Sequence, residues 1–353
     1  MSLAAFTDRD ASGHLTSPFY GYLPTAWVND LFLILFGLST IFHLVQAIRT
    51  RTWWLLPTVV LAGSGEFIGW GARTWSHYAP LNHNPYLVQI ITLIVSPTPL
   101  IGALFITFGQ LSSRLGHEYS RLSPRLYSKI FFTCQDIVAL LVQAGGGGIA
   151  SGSSDASAKL GSNIMLAGII FQLASLSVFC ILVAEYLIRR IQDKPLKRRT
   201  INDSGSAETF VFSSRTGPIP KPLLQLACGL CAEATFLYIR GIYRTIELAD
   251  GWQGKIIQTQ SLFIVFDGVM VFLTMFSLNV FHPGRLLKAA DSESGVEKDI
   301  IPMGTRSPPS SKHEVDVGNH ASTMSDSDLR YKLSHTQLRT PHVDASILTS
   351  FKV

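Results

Sequence analysis

The feature that most constrains the fold is a series of seven long apolar runs between residues 27 and 281. Each run is long enough to cross a hydrocarbon core of about 30 Å as an α-helix. The runs lack the alternation of apolar and polar residues found in barrel strands, and only helices or closed barrels satisfy the backbone in lipid. The sequence therefore predicts an all-α integral membrane protein with seven transmembrane helices. The runs lie near residues 27–48, 53–72, 86–111, 130–150, 164–188, 223–243 and 258–281.

The basic residues between these runs are unevenly distributed. The loops after the first, third and fifth runs carry fourteen Lys and Arg residues, whereas the segments on the other side carry four. Because cytoplasmic loops are enriched in Lys and Arg, this bias predicts an outside N-terminus and a cytoplasmic C-terminus. The formal charge of +5 is thus a topology signal, and we expect no nucleic-acid partner.

Three regions follow from this pattern. Residues 1–19 form an extracellular segment without the charged and apolar parts of a cleavable signal peptide. Residues 20–287 form the seven-helix membrane domain. Residues 288–353 are rich in Ser and poor in apolar residues, which predicts a disordered cytoplasmic tail that could bind cytoplasmic regulators.

Ionisable and amide side chains within the predicted helices are the candidate functional residues. Charged groups in a membrane are costly, so they mark substrate paths, proton relays or ion pairs that fix helix register. Both interpretations remain open here: a polar substrate path, and a set of buried structural contacts. The candidates are Glu66, Asp136, Gln143, Arg240, Arg244, Glu247 and Asp267.

The sixth run carries an unusual density of charge. Arg240, Arg244 and Glu247 follow each other at helical spacing, and we expect them at the outer interface, where arginines can reach water. This end of the helix would then form an entry for head groups. Glu233 lies deeper and could pair with Arg240 two turns away. In the third run, Pro97 and a second proline two residues later should kink or break the helix.

Several function classes are excluded by missing motifs. "AGGGGIA" at 144–150 lacks the Gly-Lys-Ser/Thr of a P-loop, and the last run has no lysine for a retinal Schiff base. The helices lack the paired His and acidic residues of a zinc hydrolase, and "CGLC" at 228–231 is best explained as packing thiols. We therefore expect no catalytic residues, no cofactor and no metal, and the chain is not predicted to be an enzyme.

Several stretches together resemble one family. They include "YGYLPTAWVNDLFLILFG", "GEFIGWGAR", "NPYLVQIITLIVSPTPL", "YIRGIYRTIELADGWQGK" and "FDGVMVFLTMFSLNVFHPGRLL", which occur in order between residues 19 and 287. In combination they are similar to the fungal lipid-translocating exporters, the seven-helix proteins linked to resistance against aminocholesterols and sphingoid long-chain bases. The resemblance implies a plasma-membrane or endomembrane protein that moves lipid-like molecules and contributes to stress and drug tolerance.

The leading hypothesis is an ATP-independent transporter of amphiphiles such as sphingoid bases or sterol-like compounds. Such a base carries a cationic amine, so Glu66, Asp136 and Asp267 would form its polar path, with Arg240 and Arg244 balancing their charge. The alternative is a seven-helix, receptor-like sensor that regulates lipid asymmetry or the stress response indirectly. An outside N-terminus, seven helices and a Ser-rich tail fit both hypotheses.

Overall fold

The computed structural model describes most of the membrane domain. The structure describes residue 17 and residues 19–121, 137–151, 155–196, 219–251 and 254–300. The predicted extracellular segment lies almost wholly outside these ranges, as do Asp136 and the tail beyond residue 300.

Six helical segments are long and apolar enough to cross a membrane. They correspond to six of the seven predicted runs. The remaining run, 130–150, is described only in its second half, as the shorter apolar helix Val138–Ala150. We call it the fourth span. The six long segments are Ala26–Thr50, Trp53–Tyr78, His83–Leu115, Ala156–Ile191, Lys221–Asp250 and Gln260–Glu293.

Every regular element within the described ranges is helical, as predicted. The second and seventh spans each contain a π-helical segment, Leu56–Val60 and Ile264–Val269 respectively. Short 3₁₀ turns lie at Trp53–Leu55 and His117–Tyr119. The α-helices are α1 (Ala26–Thr50), α2 (Leu61–Tyr78), α3 (His83–Val95), α4 (Thr98–Leu115), α5 (Val138–Ala150), α6 (Asp155–Ile191), α7 (Lys221–Asp250), α8 (Gln260–Phe263), α9 (Met270–Val280) and α10 (Pro283–Ile300).

The third span is broken where its prolines predicted. Helix α3 ends at Val95 and α4 begins at Thr98. Pro97 has no backbone N–H, so it cannot donate the helical hydrogen bond to the carbonyl four residues earlier, that of Leu93. The break therefore leaves a backbone acceptor inside the bundle that another group must satisfy.

Polar and apolar residues are arranged as expected for a protein in lipid. Buried positions include Glu66, Arg73, Arg240 and Asp267, whereas one face of α1 exposes a continuous set of large apolar side chains. Such a face is favourable in contact with lipid and unfavourable in contact with water. The exposed side chains of α1 are Trp27, Leu31, Ile34, Leu38, Ile41, Phe42, Leu44, Val45 and Ile48.

Helices α5 and α6 approach each other through glycine. A Cβ atom on Gly161 would lie 2.3 Å from the backbone nitrogen of Ala150 and 2.4 Å from the carbonyl oxygen of Gly146. These distances are far below van der Waals contact, so the two backbones meet where a side chain would not fit. By contrast, a Cβ atom on Gly148 would meet nothing within 4 Å.

Contacts at the two ends of the bundle join segments that were predicted to share a side. On the predicted cytoplasmic side, Arg121 binds Glu185 through two hydrogen bonds of 2.7 and 2.8 Å. On the opposite side, the Thr25 hydroxyl donates to Gln260 at 3.1 Å. These contacts bring together the ends of the third and fifth spans and the starts of the first and seventh, and the assignment of the cytoplasmic face stays a prediction.

The last helix extends into the segment that the sequence assigns to the tail. The disordered tail is predicted to begin at residue 288, and α10 continues to Ile300. The Asp291 carboxylate on this helix forms a bidentate ion pair with Arg114 at 2.9 Å, which holds the start of the extension against the bundle.

Candidate functional site

The charged face of the sixth span forms an ion-pair network with the seventh. Arg240, Arg244 and Glu247 lie on one face of α7, and Asp267 lies in the π-helical segment Ile264–Val269. Each is at most 4% exposed. We call these four residues the ion-pair quartet. Its two guanidinium and two carboxylate groups carry no net charge when all are ionised.

Asp267 is the centre of the quartet. Its Oδ1 accepts hydrogen bonds from Arg240 Nε at 2.9 Å and Arg244 Nε at 2.8 Å, and its Oδ2 accepts one from an Arg244 terminal nitrogen at 2.5 Å. The other terminal nitrogen of Arg244 donates to Glu247 at 2.8 Å. Glu247 also accepts a hydrogen bond from the Tyr243 hydroxyl at 3.0 Å. Such charge-assisted bonds fix the sixth and seventh spans in register.

Arg240 also satisfies the helix break in the third span. A terminal nitrogen of its guanidinium donates to the Leu93 carbonyl oxygen at 2.8 Å. This is the carbonyl that Pro97 leaves without a helical partner. One arginine thus links the third, sixth and seventh spans.

Two expectations for the sixth span are wrong. The arginines were predicted to reach water at the outer interface, but both are buried and point at Asp267. Their hydrogen bonds to the Asp267 carboxylate offset part of the cost of removing the two guanidinium groups from water. The predicted pairing of Glu233 with Arg240 is also absent. Glu233 is buried, and its Oε2 has no hydrogen-bond partner among the described residues.

Glu66 lies beside the quartet without joining it. It is fully buried and forms no ion pair with any described residue, and its carboxylate interacts with the Trp70 side chain. It lies within electrostatic range of Asp267, Arg240 and Arg244. Because the quartet is neutral by itself, an ionised Glu66 adds one negative charge that these four residues do not balance.

Gln143 belongs to a different polar chain. Its side-chain nitrogen donates to Gln172 at 3.0 Å, and its oxygen accepts from the Thr98 hydroxyl at 3.2 Å. These bonds join α5, α6 and the start of α4 just after the helix break. The structure therefore separates Gln143 from the quartet, and Asp136 lies outside the described residues.

Arg73, one of the four basic residues predicted to lie on the side opposite the cytoplasm, forms a second polar centre. Arg73 is 1% exposed. It donates to Asn29 at 3.1 Å, to Gln89 at 3.2 Å and to the Tyr22 hydroxyl at 2.8 Å. A signal for this burial was present, since Arg73 follows Glu66 by seven residues and so shares its helix face.

A small cavity lies between Arg73 and the quartet. It has a volume of about 20 Å³, and its walls include Tyr22, Arg73, Arg244, Glu247 and Phe263. A water molecule needs roughly 10–15 Å³ by this measure, so about one fits. This conformation has no room here for a lipid head group.

The described residues contain no cluster of three or more His, Cys, Asp or Glu side chains that could hold a metal ion. Three cysteines fall in the described ranges, and each is a free thiol: Cys180, Cys228 and Cys231.

Comparison with known proteins finds relatives in yeast, two of which are named for transport or uptake. The chain is 28% identical over 295 residues to the sphingoid long-chain base transporter RSB1 of Saccharomyces cerevisiae, covering 79% of this chain and 77% of the relative. It is 25% identical over 288 residues to Protein RTA1 of the same yeast, covering 75% and 84% respectively. Protoporphyrin uptake protein 1 is 25% identical over 215 residues, covering 61% and 64%. No solved structure matches.

The family assignment agrees with the helical architecture. The family described as RTA1 like protein matches residues 59–290, which include Glu66, Arg73 and the complete quartet. Two of the yeast relatives are named for transport or uptake, and the six apolar spans fit a multi-pass membrane protein. The chain belongs to the RTA1-like protein family.

Proposed function

We propose that this protein moves single-chain amphiphiles with a cationic head across the membrane without ATP. The main substrates in this proposal are sphingoid long-chain bases, and sterol-like compounds are a second class. The protein moves them towards the outer leaflet. The observation that carries the proposal is Glu66, a fully buried carboxyl that has no ion-pair partner among the described residues and lies beside a neutral ion-pair quartet. The relative named a sphingoid long-chain base transporter supports the choice of substrate.

The charge at Glu66 explains why a cation would bind there. A buried carboxylate is strongly destabilised unless it is paired, since the low dielectric of the interior weakens its solvation. The nearest arginines already bind Asp267 and Glu247. The ammonium group of a sphingoid base would supply the missing positive charge, while its hydrocarbon chain stays in lipid.

The quartet has a supporting role in this proposal. Asp267 accepts three hydrogen bonds from two arginines, so its charge is already balanced. Arg240, Arg244, Asp267 and Glu247 hold the third, sixth and seventh spans around the binding position, and Glu66 is the acid that binds and releases the cationic head. Gln143 would act apart from this position, through its contacts with Thr98 and Gln172.

A receptor-like sensor is the second candidate function. The small size of the cavity beside the quartet favours it, because a volume of about 20 Å³ holds about one water molecule and no lipid head group. A transporter must open this region during each cycle, whereas a sensor needs only to bind at its edge. Both functions suit a plasma-membrane location, and cytoplasmic regulators of the tail belong more naturally to the sensor.

Transport by the purified protein is the direct test. The full-length chain is reconstituted into liposomes without ATP, and the movement of a fluorescent sphingoid base between leaflets is followed. Glu66→Gln keeps the shape of the side chain but removes its charge. We expect it to slow movement of the base by about tenfold, which corresponds to roughly 1.4 kcal/mol.

Glu185→Gln is the matched control. Glu185 undergoes the same chemical change but lies in an ion-pair cluster with Arg121 and Arg189 at the predicted cytoplasmic end. It should move the base at the wild-type rate. An equal rate for Glu66→Gln and wild type would contradict the role of Glu66. A wild-type protein that moves no base in liposomes would instead favour the sensor.

Removing the tail separates the two functions in cells. Because α10 ends at Ile300, the truncation should remove residues 301–353 and leave the ion pair of Asp291 with Arg114 intact. A transporter core should still protect cells against added sphingoid base. A sensor that signals through its tail should lose this protection.

A further inference from the structure

We propose that the cavity beside Arg73 binds an anionic group, a phosphate or a carboxylate, carried by an amphiphile or free in solution. This site is separate from the cation position at Glu66 and does not depend on the proposed direction or substrate of transport. It rests on a buried guanidinium with no acidic partner, on hydrogen-bond donors left over around it, and on the cavity that it lines.

Arg73 carries a buried positive charge that no described carboxylate neutralises. Its guanidinium remains protonated in proteins, and the side chain is 1% exposed. No Asp or Glu of the described ranges forms an ion pair with it. Its three hydrogen-bond acceptors, on Asn29, Gln89 and Tyr22, are all neutral. A buried charge with only neutral partners retains much of its desolvation penalty, which a bound anion would relieve.

The polar groups around Arg73 that have no hydrogen-bond partner yet are all donors. A guanidinium has five N–H groups, and the three bonds described above use three of them. The Tyr22 hydroxyl oxygen accepts from Arg73, so its own hydrogen remains for a further acceptor. An acceptor-rich ligand without donors, such as a phosphate or carboxylate, matches this set.

Aromatic rings hold the guanidinium in place without taking its hydrogen bonds. The Arg73 Cζ atom lies 5.2 Å from the ring centre of Tyr20, 5.7 Å from that of Tyr22 and 4.6 Å from that of Phe263. These are cation–π distances, and the rings fix the direction of the planar group. The Arg73 guanidinium is therefore already oriented before a ligand arrives.

The far wall of the cavity does not cancel this charge. Glu247 lines it, but one of its oxygens accepts from Arg244 and the other from Tyr243. Arg244 also lines the cavity, and Phe263 lies between the two guanidinium groups, 5.3 Å from the Arg244 Cζ atom. The balanced quartet therefore leaves the positive charge of Arg73 as the unneutralised charge facing this space.

A ligand larger than water needs the cavity to widen. The half-buried Tyr22 is the most readily displaced wall, since it precedes α1 and follows Gly21, which has a left-handed φ of +73°. A head group that replaced the Tyr22 hydroxyl at Arg73 would occupy the hydrogen bond that this hydroxyl now makes. Its hydrocarbon chain could remain in the surrounding lipid.

The test supplies the missing counter-charge from within the protein. Asn29 accepts a hydrogen bond from Arg73 Nε at 3.1 Å and donates a longer one of 3.4 Å to the Arg73 carbonyl oxygen, so Asn29→Asp exchanges this longer bond for a carboxylate of nearly the same shape. This variant should fold, because it adds an ion pair, and it should lose the bound anion. In lipid nanodiscs, we expect dodecyl phosphate to bind the wild-type full-length protein at least tenfold more tightly than Asn29→Asp or Arg73→Gln.

The controls separate charge at this site from charge elsewhere. Arg114→Gln removes an arginine at the other end of the bundle and should bind dodecyl phosphate like wild type. Dodecanol should bind all variants equally. Competition by inorganic phosphate would identify a site for free anions, whereas its failure to compete would identify a site for lipid head groups; both support the proposal.

Equal affinity of wild type and Asn29→Asp for dodecyl phosphate would overturn the anion site, even if Arg73→Gln fails to fold. That result would leave the Glu66 transport assay unaffected, because no step of the assay uses a phosphate. Conversely, loss of base transport in every variant would not change the phosphate-binding result.

Discussion

Replacing Asp267 with asparagine should lower the free energy of unfolding by about 3–5 kcal/mol, as expected when one partner of a buried ion pair is removed. The change keeps the size of the side chain but leaves Arg240 and Arg244 with one carboxylate, Glu247, between them. It also weakens three hydrogen bonds of 2.5 to 2.9 Å. Thermal or denaturant unfolding of the purified protein in detergent measures the loss.

Asp291→Asn is the matched control for this change. Asp291 also forms a bidentate pair with an arginine, but its side chain is 56% exposed and that of Arg114 is 31% exposed. Exposed pairs contribute about 0–1 kcal/mol, so this variant should unfold almost like wild type. Equal losses for the two variants would contradict the central role of Asp267.

The second large effect is expected where helices α5 and α6 meet. Gly161→Ala would place a methyl group 2.3 Å from the Ala150 backbone nitrogen and 2.4 Å from the Gly146 carbonyl oxygen. Backbone atoms cannot move aside as a flexible side chain can, so the two helices must separate. Overpacking typically costs about 1–3 kcal/mol and occasionally more, and we expect this change at or above the upper end.

Gly148→Ala tests the same substitution without the steric conflict. Gly148 lies on α5 and has open space around its Cα, so an added methyl group meets no atom within 4 Å. Alanine favours the helix by about 1 kcal/mol relative to glycine, and this variant should therefore be neutral or more stable. If Gly161→Ala melts at the wild-type temperature, the close approach of the two helices is wrong.

The sequence predicts the helical elements well because a segment that crosses lipid must satisfy its backbone hydrogen bonds internally. A span must be long, apolar and helical, and six of the seven predicted runs appear as such segments. The break in the third span was also predictable, since Pro97 lacks the N–H that a continuous helix needs. These features depend on local sequence alone.

The pairing of charges depends on how the spans fit together, and the sequence does not contain that register. Arg240 and Asp267 are 27 residues apart, and nothing local indicates that they bind each other. The same uncertainty led to the incorrect pairing of Glu233 with Arg240. Arg73 was missed for a related reason, because an arginine near a predicted helix end is usually at the interface, whereas here Tyr20, Tyr22 and Phe263 cover it.

The hydrogen bond from Arg240 to the Leu93 carbonyl has a consequence for biogenesis. The third span is synthesised before the sixth, and its Leu93 carbonyl lacks a helical hydrogen-bond donor because of Pro97. The sixth span, which carries the two arginines, follows much later. On insertion scales each charge at the membrane centre costs roughly 2.5–3.5 kcal/mol. Glu247 on the sixth span binds Arg244, but Asp267, which binds both arginines, arrives later still on the seventh span. A nascent chain that stops before Asp267 therefore carries one more arginine than carboxylate in this network.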